Sequence, residues 1–277
     1  MKNPPAILGE ISSQTVLRVA KAKEALSPEK AWAQALAFVE TEQAQARAQS
    51  GANTPLPFER AIASPGLSFI CEVKKASPSK GVIAPDFPWM EIAKDYEEGG
   101  AAAISVLTEP DFFLGSDRYL REIAAAVKIP VLRKDFIIDE YQIYEAKLWG
   151  AKAVLLICAL LEKETLSSFI SVADKLALDC LVEIHSEAEA QEAIAAGARI
   201  IGINNRDLTT FNVDTGLASD LKKQIPAGLL TVAESGVMSA NDIREIKNSG
   251  VDAVLIGESL MRAKDRTRFL RELLSAG

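Results

Sequence analysis

Eight short apolar runs, each ending in polar or charged residues, recur between Phe69 and Ser259. They read FICEVKKASPSKG (Phe69–Gly81), AISVLTE (Ala103–Glu109), VLRKDF (Val131–Phe136) and AVLLICA (Ala153–Ala159). The rest are LVEIH (Leu181–His185), IIGINNRDL (Ile200–Leu208), LTVAESG (Leu230–Gly236) and AVLIGES (Ala253–Ser259). Short runs of Val, Ile and Leu suit parallel strands covered on both faces. From Glu72 through Leu107, Lys134, Ile157, Glu183, Asn204 and Glu234 to Gly257, the run ends lie 35, 27, 23, 26, 21, 30 and 23 residues apart. Each interval holds one strand, one helix and two short loops. The pattern predicts an α/β fold, a closed (β/α)8 or TIM barrel. A doubly wound sheet would want a Gly-rich first turn such as GxGxxG, and none follows the first run.

Helices are predicted at 89–98, 116–127, 140–149, 162–178, 186–196, 215–224, 240–249 and 266–275. Several meet a glycine that suits a left-handed cap, as at Gly99-Gly100, Gly150, Gly197 and Gly250. Residues 1–65 differ. The stretch from Glu10 to Gln49 is rich in Ala, Glu, Lys and Gln and is expected to be one helix, ended by Gly51 and the cluster Asn53-Thr54-Pro55-Leu56-Pro57. The expected organisation is an N-terminal helical extension (1–65) packing on a catalytic barrel domain (66–277). Ile7, Leu8, Val16, Leu17, Trp32, Leu36 and Phe38 supply the apolar positions for that docking.

Composition narrows the function. The 277 residues carry a formal charge of −7, which disfavours nucleic acid as a partner. No run approaches the ~18 apolar residues of a membrane span, and Met1–Ser13 has no signal-peptide pattern. Cys71, Cys158 and Cys180 all fall in apolar runs, as buried thiols of a reducing, cytoplasmic compartment would. One histidine and no Cys/His cluster give no zinc pattern. No cofactor or protein partner is indicated.

In a closed barrel, chemistry sits at the C-terminal strand ends. There the sequence offers Glu72, Lys74, Lys134, Glu183, Asn204, Arg206, Glu234 and Ser235. Alternation puts Glu72 and Lys74 on one face. They are either an ion pair sealing the barrel top or working groups, and convergence with Lys134 and Glu183 favours the second. Lys134 could donate a proton or steady an oxyanion, or pair with Asp135. Glu183, alone in an apolar strand, is a general-base candidate or a structural partner of a lysine. His185 reads as a rim residue. Gly236 and Gly257 end the last two strands, where barrels often hold phosphate. Glu258 would repel a phosphate unless it points away or meets a cation. The long first βα loop, 75–88, is a candidate lid. The inventory describes acid–base chemistry on a small, phosphorylated, anionic substrate.

These residues, in order across 70–260, resemble the indole-3-glycerol phosphate synthase family. The match lies in Cys71–Gly81, Ser105–Glu109, Lys134–Phe136, Leu155–Ile157, Val182-Glu183, Gly202–Leu208, Val232–Gly236 and Leu255–Gly257. The resemblance implies ring closure of 1-(2-carboxyphenylamino)-1-deoxyribulose 5-phosphate to indole-3-glycerol phosphate, carbon dioxide and water. It implies Lys134 as general acid, Glu183 as general base, Lys74 as carboxylate binder and second proton donor, and Glu72 as its partner. Asn204, Glu234 and Ser235 would orient the substrate, and Arg206 would brace the site. Ser77, Gly236, Gly257 and the amide of Glu258 would hold phosphate. Phe113, Phe136, Leu155 and Leu208 would form the slot for the aromatic ring. Phosphoribosylanthranilate isomerases share barrel and phosphate site but use a Cys–Asp pair, and Cys71 is out of phase with the inward-facing Glu72. A barrel that only binds a phosphorylated metabolite is the other alternative.

Overall fold

The computed structural model describes residues 2, 4–47, 56–207 and 209–277, with 43–47 as backbone. Three helices come first: α1 (Ala6–Ala25), α2 (Pro28–Arg47) and α3 (Pro57–Ile62). Then follow β1 (Ser68–Val73), the short strands β2 (Ala76–Ser77) and β3 (Gly81–Val82), α4 (Trp89–Gly99), β4 (Ala103–Leu107), α5 (Asp117–Ala126), β5 (Val131–Lys134) and α6 (Tyr141–Leu148). The chain continues through β6 (Ala153–Ile157), α7 (Lys163–Lys175), β7 (Asp179–Ile184), α8 (Glu187–Ala196), β8 (Ile200–Asn204) and α9 (Leu217–Lys222). It closes with β9 (Leu230–Glu234), α10 (Ala240–Asn248), β10 (Ala253–Ile256), α11 (Glu258–Arg262) and α12 (Arg266–Leu274). Strands β1, β4–β9 and β10 form one closed barrel of parallel neighbours, β10 pairing with β1 through Ser68–Ala253 to Cys71–Ile256.

The eight expected strands and the eight helices after them are present. Strand residues are buried almost throughout, as both faces are covered. Cys71, Cys158 and Cys180 are free and buried. No helix among the described residues is long and apolar enough to cross a membrane.

The expected single helix over 10–49 is two helices. Pro28 takes the first helical position of α2, and α1 ends at Leu26, which is extended. Proline disfavours helical geometry in the residue before it, so the helix ends there and restarts. Residues 48 and 49 lie outside the described residues. The docking stripe also differs. Leu8, Ile11, Ser12, Thr15 and Val19 are buried, whereas Val16, Leu17 and Phe38 are exposed, Leu17 by 64%. At about 100° per residue, Leu17 lies about 180° round the helix from Leu8. The inward face thus includes two hydroxyl residues that an apolar count passes over.

Helix α2 packs on α6 through Ala31, Ala35 and Val39, with Trp32 against Tyr144 at 5.2 Å. Glu42 receives the buried Lys147 at 2.6 Å and Lys152 at 2.5 Å. Helix α3 contacts β1, β4 and β7, burying Phe58 and Ile62. Asp179, first in β7, accepts the Glu59 backbone N–H at 3.0 Å, so α3 lies at the N-terminal end of the barrel, away from the strand ends that carry chemistry.

Burial, chiefly, pushes the Asp179 carboxyl up to about 6; amide hydrogen bonds and Arg199 oppose this. A folded-state value above the ordinary carboxylate range means a stability contribution present at low pH and lost as pH rises through about 6. Asp179→Asn keeps an acceptor for Glu59 but cannot ionise. Its stability relative to the parent should therefore improve between about pH 4 and pH 8, by at most ~3 kcal/mol. Denaturant melts at the two pH values check this, and parallel pH dependence in both proteins would contradict it.

Candidate active site

A cavity of about 620 Å³ opens at the C-terminal ends of the barrel strands. Glu72, Lys74, Ser77, Phe113, Lys134, Phe136, Leu155, Glu183, Asn204, Arg206, Glu234, Ser235, Gly236, Gly257 and Glu258 all line it. Thus every described residue expected from sequence borders one space. Leu208 lies outside the described residues.

At its centre is Lys134, last in β5. Its Nζ donates to Glu183 Oε2 at 3.0 Å and to Glu234 Oε2 in a shorter contact. Register explains the meeting: β7, β8 and β9 bring Glu183 opposite Gly202 and Asn204 opposite Glu234, while Lys134 ends β5 two strands away. Burial works against the ammonium, but Glu234, Glu183 and Glu72 outweigh it and hold the pKa of Lys134 above the usual lysine value. Lys134 is therefore protonated at neutral pH. The alternative pairing with Asp135 does not occur. Asp135 instead accepts from Arg133 at 3.0 Å and Thr108 at 2.6 Å, and Arg133 is stacked on Trp149 at 4.1 Å.

The two carboxylates on Lys134 differ. Burial raises the pKa of Glu183, but Lys134, His185 and the Asn204 side chain more than reverse this, keeping it ionised. Glu234 is pushed up to about 7, first by burial, with Glu183 and Glu72 adding repulsion against the pull of Lys134. Its Oε1 is buried with no hydrogen-bond partner. The site therefore places a charged acid against a charged base and a carboxyl that titrates near neutrality, a separation of roles that acid–base chemistry uses.

Glu72 and Lys74 form the expected ion pair at 2.5 Å. A Cβ at Gly257 would come within 2.5 Å of Glu72 Oε1 and 2.9 Å of Lys74 Nζ, so a side chain there would push this pair from its present place. Gly202 stands in the same relation to Glu234: a Cβ would overlap Glu234 Oε1. Gly202→Ala should displace Glu234 from Lys134 and cut turnover roughly 10- to 100-fold, the scale of a ~1 Å misplacement. Parent-like turnover with an unchanged melting temperature would contradict this.

Asn204 Oδ1 accepts from the Arg206 amide at 3.0 Å and from Ser235 Oγ at 2.9 Å. Ser235 has φ 67°, a left-handed conformation that non-glycine residues seldom adopt. Gly236 follows at φ 96°. Arg206 donates to the Phe211 carbonyl at 3.1 Å, bracing its loop. The Glu258 carboxylate is held by Arg262 at 3.0 Å. Phe113 and Phe136 stand 5.8 Å apart, centroid to centroid, on the apolar side.

Sequence reasoning missed Leu8, Ile11 and Lys80, which also line the cavity. The α1 burial stripe was the available signal for the first two. His185, read as a rim residue, is 16% exposed and tucked behind Glu183, with Nε2 3.5 Å from Glu183 Oε1 and Nδ1 3.4 Å from Glu189. Glu189 of α8 also accepts the His185 amide at 2.6 Å, and His185 does not line the cavity.

A model of the indole-3-glycerol phosphate synthase family matches residues 21–273. The chain belongs to that family. It is 51% identical over 267 residues to the indole-3-glycerol phosphate synthase of Ruminiclostridium cellulolyticum, spanning 96% of this chain and 98% of that one. It is 56% identical over 216 residues to the synthase of Endomicrobium trichonymphae, spanning 78% and 84%. The family is one of decarboxylating lyases of tryptophan biosynthesis, and the chain is an enzyme of that class. Among solved structures it is similar to 3-hexulose-6-phosphate synthase from Salmonella typhimurium, with TM-score 0.61 and 16% identity over 76% of this chain and 98% of that one. It is also similar to thiamine phosphate pyrophosphorylase from Pyrococcus furiosus, with TM-score 0.58 and 19% identity over 76% and 95%. These two likenesses concern the barrel alone.

Proposed function

We propose that the cavity closes the indole ring of 1-(2-carboxyphenylamino)-1-deoxyribulose 5-phosphate, giving indole-3-glycerol phosphate, carbon dioxide and water. The observation that carries this reading is Lys134 held between Glu183 and Glu234 at the cavity floor. A protonated lysine and an ionised carboxylate in contact supply the acid and the base together.

In the first step, the ring carbon bearing the carboxylate attacks the ketone carbon, and Lys134 gives its proton to the ketone oxygen. The carbon–carboxylate bond then breaks, carbon dioxide leaves, and the electron pair restores the aromatic ring. In the last step, the new hydroxyl leaves as water with a proton from Lys74, and Glu183 removes the proton whose loss completes the indole. Glu183 and Lys134 are 3.0 Å apart, so a proton taken by the base can return to the acid.

Binding follows the cavity's polarity. The ring would lie between Phe113, Phe136 and Leu155, and Lys74 would face its carboxylate. Ser77, Gly236, Gly257 and the amide of Glu258 would face the phosphate, with Lys80 as a nearby cation. The bond to Arg262 occupies Glu258 Oε1, which supports an anion beside it. Glu72 would hold Lys74, while Asn204 and Ser235 would orient the sugar chain. Residues 1–65 act as an extension of the barrel domain 66–277, with α1 closing one wall of the cavity.

The test offers the purified protein this substrate and, separately, N-(5-phosphoribosyl)anthranilate. The proposal expects carbon dioxide and an indole chromophore in equal amounts from the first, and no conversion of the second. Isomerisation of the second without carbon dioxide from the first would overturn it.

A further inference from the structure

Glu109 does not line the cavity, yet it is the best-satisfied buried carboxylate near it. It follows β4, and its side chain has no solvent exposure. Oε1 accepts from Arg18 at 2.7 Å and from the Asp111 amide at 3.0 Å. Oε2 accepts from the Phe112 amide at 2.7 Å and the Phe113 amide at 3.0 Å. A carboxylate that accepts several backbone N–H bonds fixes the turn that supplies them. Here that turn ends in Phe113, whose ring lines the cavity against Phe136. The Phe113 carbonyl in turn accepts the Ala76 amide at 3.2 Å, joining the turn to β2, which carries Ser77.

The fourth donor comes from another element. Arg18 lies on α1, about two turns beyond Ile11, which lines the same cavity. Its guanidinium also reaches Asp111 at 3.0 Å, Thr15 Oγ1 at 2.8 Å and Asp135 at 3.7 Å, and Asp135 neighbours Phe136 in sequence. Two walls of the apolar slot, the turn with Phe113 and the helix with Leu8 and Ile11, are therefore joined through one ion pair, its carboxylate buried and its guanidinium partly exposed.

We propose that Glu109 and Arg18 are positioning residues that fix the aromatic-ring end of the site, Glu109 by shaping the turn at Phe113 and Arg18 by locking α1 to it. The inference rests on the reading that the aromatic ring of the substrate occupies this slot. Neither residue touches the substrate. Loss of the couple loosens the ring end, which touches the phosphate end only through β2 and Ser77, and leaves the phosphate loops at Gly236 and Gly257 as they were.

Arg18→Met keeps the apolar stem and leaves Glu109 its three amides, so the fold is retained. Glu109→Gln keeps the shape but cannot accept all four bonds, because its amide nitrogen only donates. For Arg18→Met we expect KM and the dissociation constant of anthranilate to rise roughly tenfold, the loss of about one charge-assisted hydrogen bond. The inhibition constant of inorganic phosphate and kcat should stay within about threefold. Combined with Glu109→Gln, it should add little to the Gln variant's effect, because both break one couple. Unchanged anthranilate binding in Arg18→Met, an equal loss for phosphate and anthranilate, or additive effects in the double variant would overturn the proposal. Turnover of the parent, measured alongside, tests the reaction itself, so a failure of that reading is seen separately from a failure of the couple.

Discussion

Lys134→Ala should lose at least ~100-fold in turnover, the usual scale for a positioned acid, while phosphate binding persists. The ammonium is charged because Glu234 and Glu183 hold it so, and it sits on the cavity floor where a ketone oxygen can reach it. Lys74, a second cation of the cavity, is engaged by Glu72. The substitution also leaves Glu183 and Glu234 buried beside each other without their shared cation. Two like charges so placed do not both stay ionised. Glu234 already titrates at about 7, so it should take up the proton. The alanine variant should therefore remain folded at neutral pH and lose stability as pH rises, when the proton must leave. Lys134→Arg is not expected to rescue turnover: a guanidinium keeps its proton and has a different shape. Turnover near the parent value in folded Lys134→Ala would remove Lys134 from the acid role.

Glu183→Gln is the second large effect, again at least ~100-fold in turnover. The carboxylate is kept ionised by Lys134, His185 and Asn204 despite its burial, so at neutral pH it can accept a proton. Glutamine matches it in volume and keeps an acceptor for Lys134 but has no useful proton affinity. KM should change less than kcat, because the slot and the phosphate loops are untouched. That split separates loss of a base from loss of a binding contact. A fall in kcat/KM carried by KM alone would assign Glu183 to binding.

Local patterns explain what the sequence revealed. Each barrel strand announced itself as an apolar run ending in polar residues, and alternation in the first told which side chains enter the barrel. Glu72 was legible from that alternation, and Lys134, Glu183, Asn204 and Glu234 as polar residues where the runs end; all five line the cavity. Partner choice was not legible, because it depends on contacts between strands distant in sequence. Lys134 faces Glu234, 100 residues away, and its neighbour Asp135 belongs to Arg133. The same holds for α1. Its inward stripe contains Ser12 and Thr15, so hydrophobicity alone misplaced the face and pointed to Val16 and Leu17. The β2–β3 hairpin in the first loop is two residues per strand, too short for any periodicity to register. Glu109 drew no reading from the sequence, because its four donors come from two elements distant in the chain.

The central claim is that Lys134 and Glu183, working as one acid–base pair, close the indole ring. The most direct test is a single turnover: excess protein mixed with 1-(2-carboxyphenylamino)-1-deoxyribulose 5-phosphate while indole emission is followed. The account predicts a rise in indole signal to one equivalent of substrate, absent on the same timescale in Lys134→Ala and in Glu183→Gln. Bound substrate with no indole signal from the folded parent, or an equal signal from all three proteins, would contradict it.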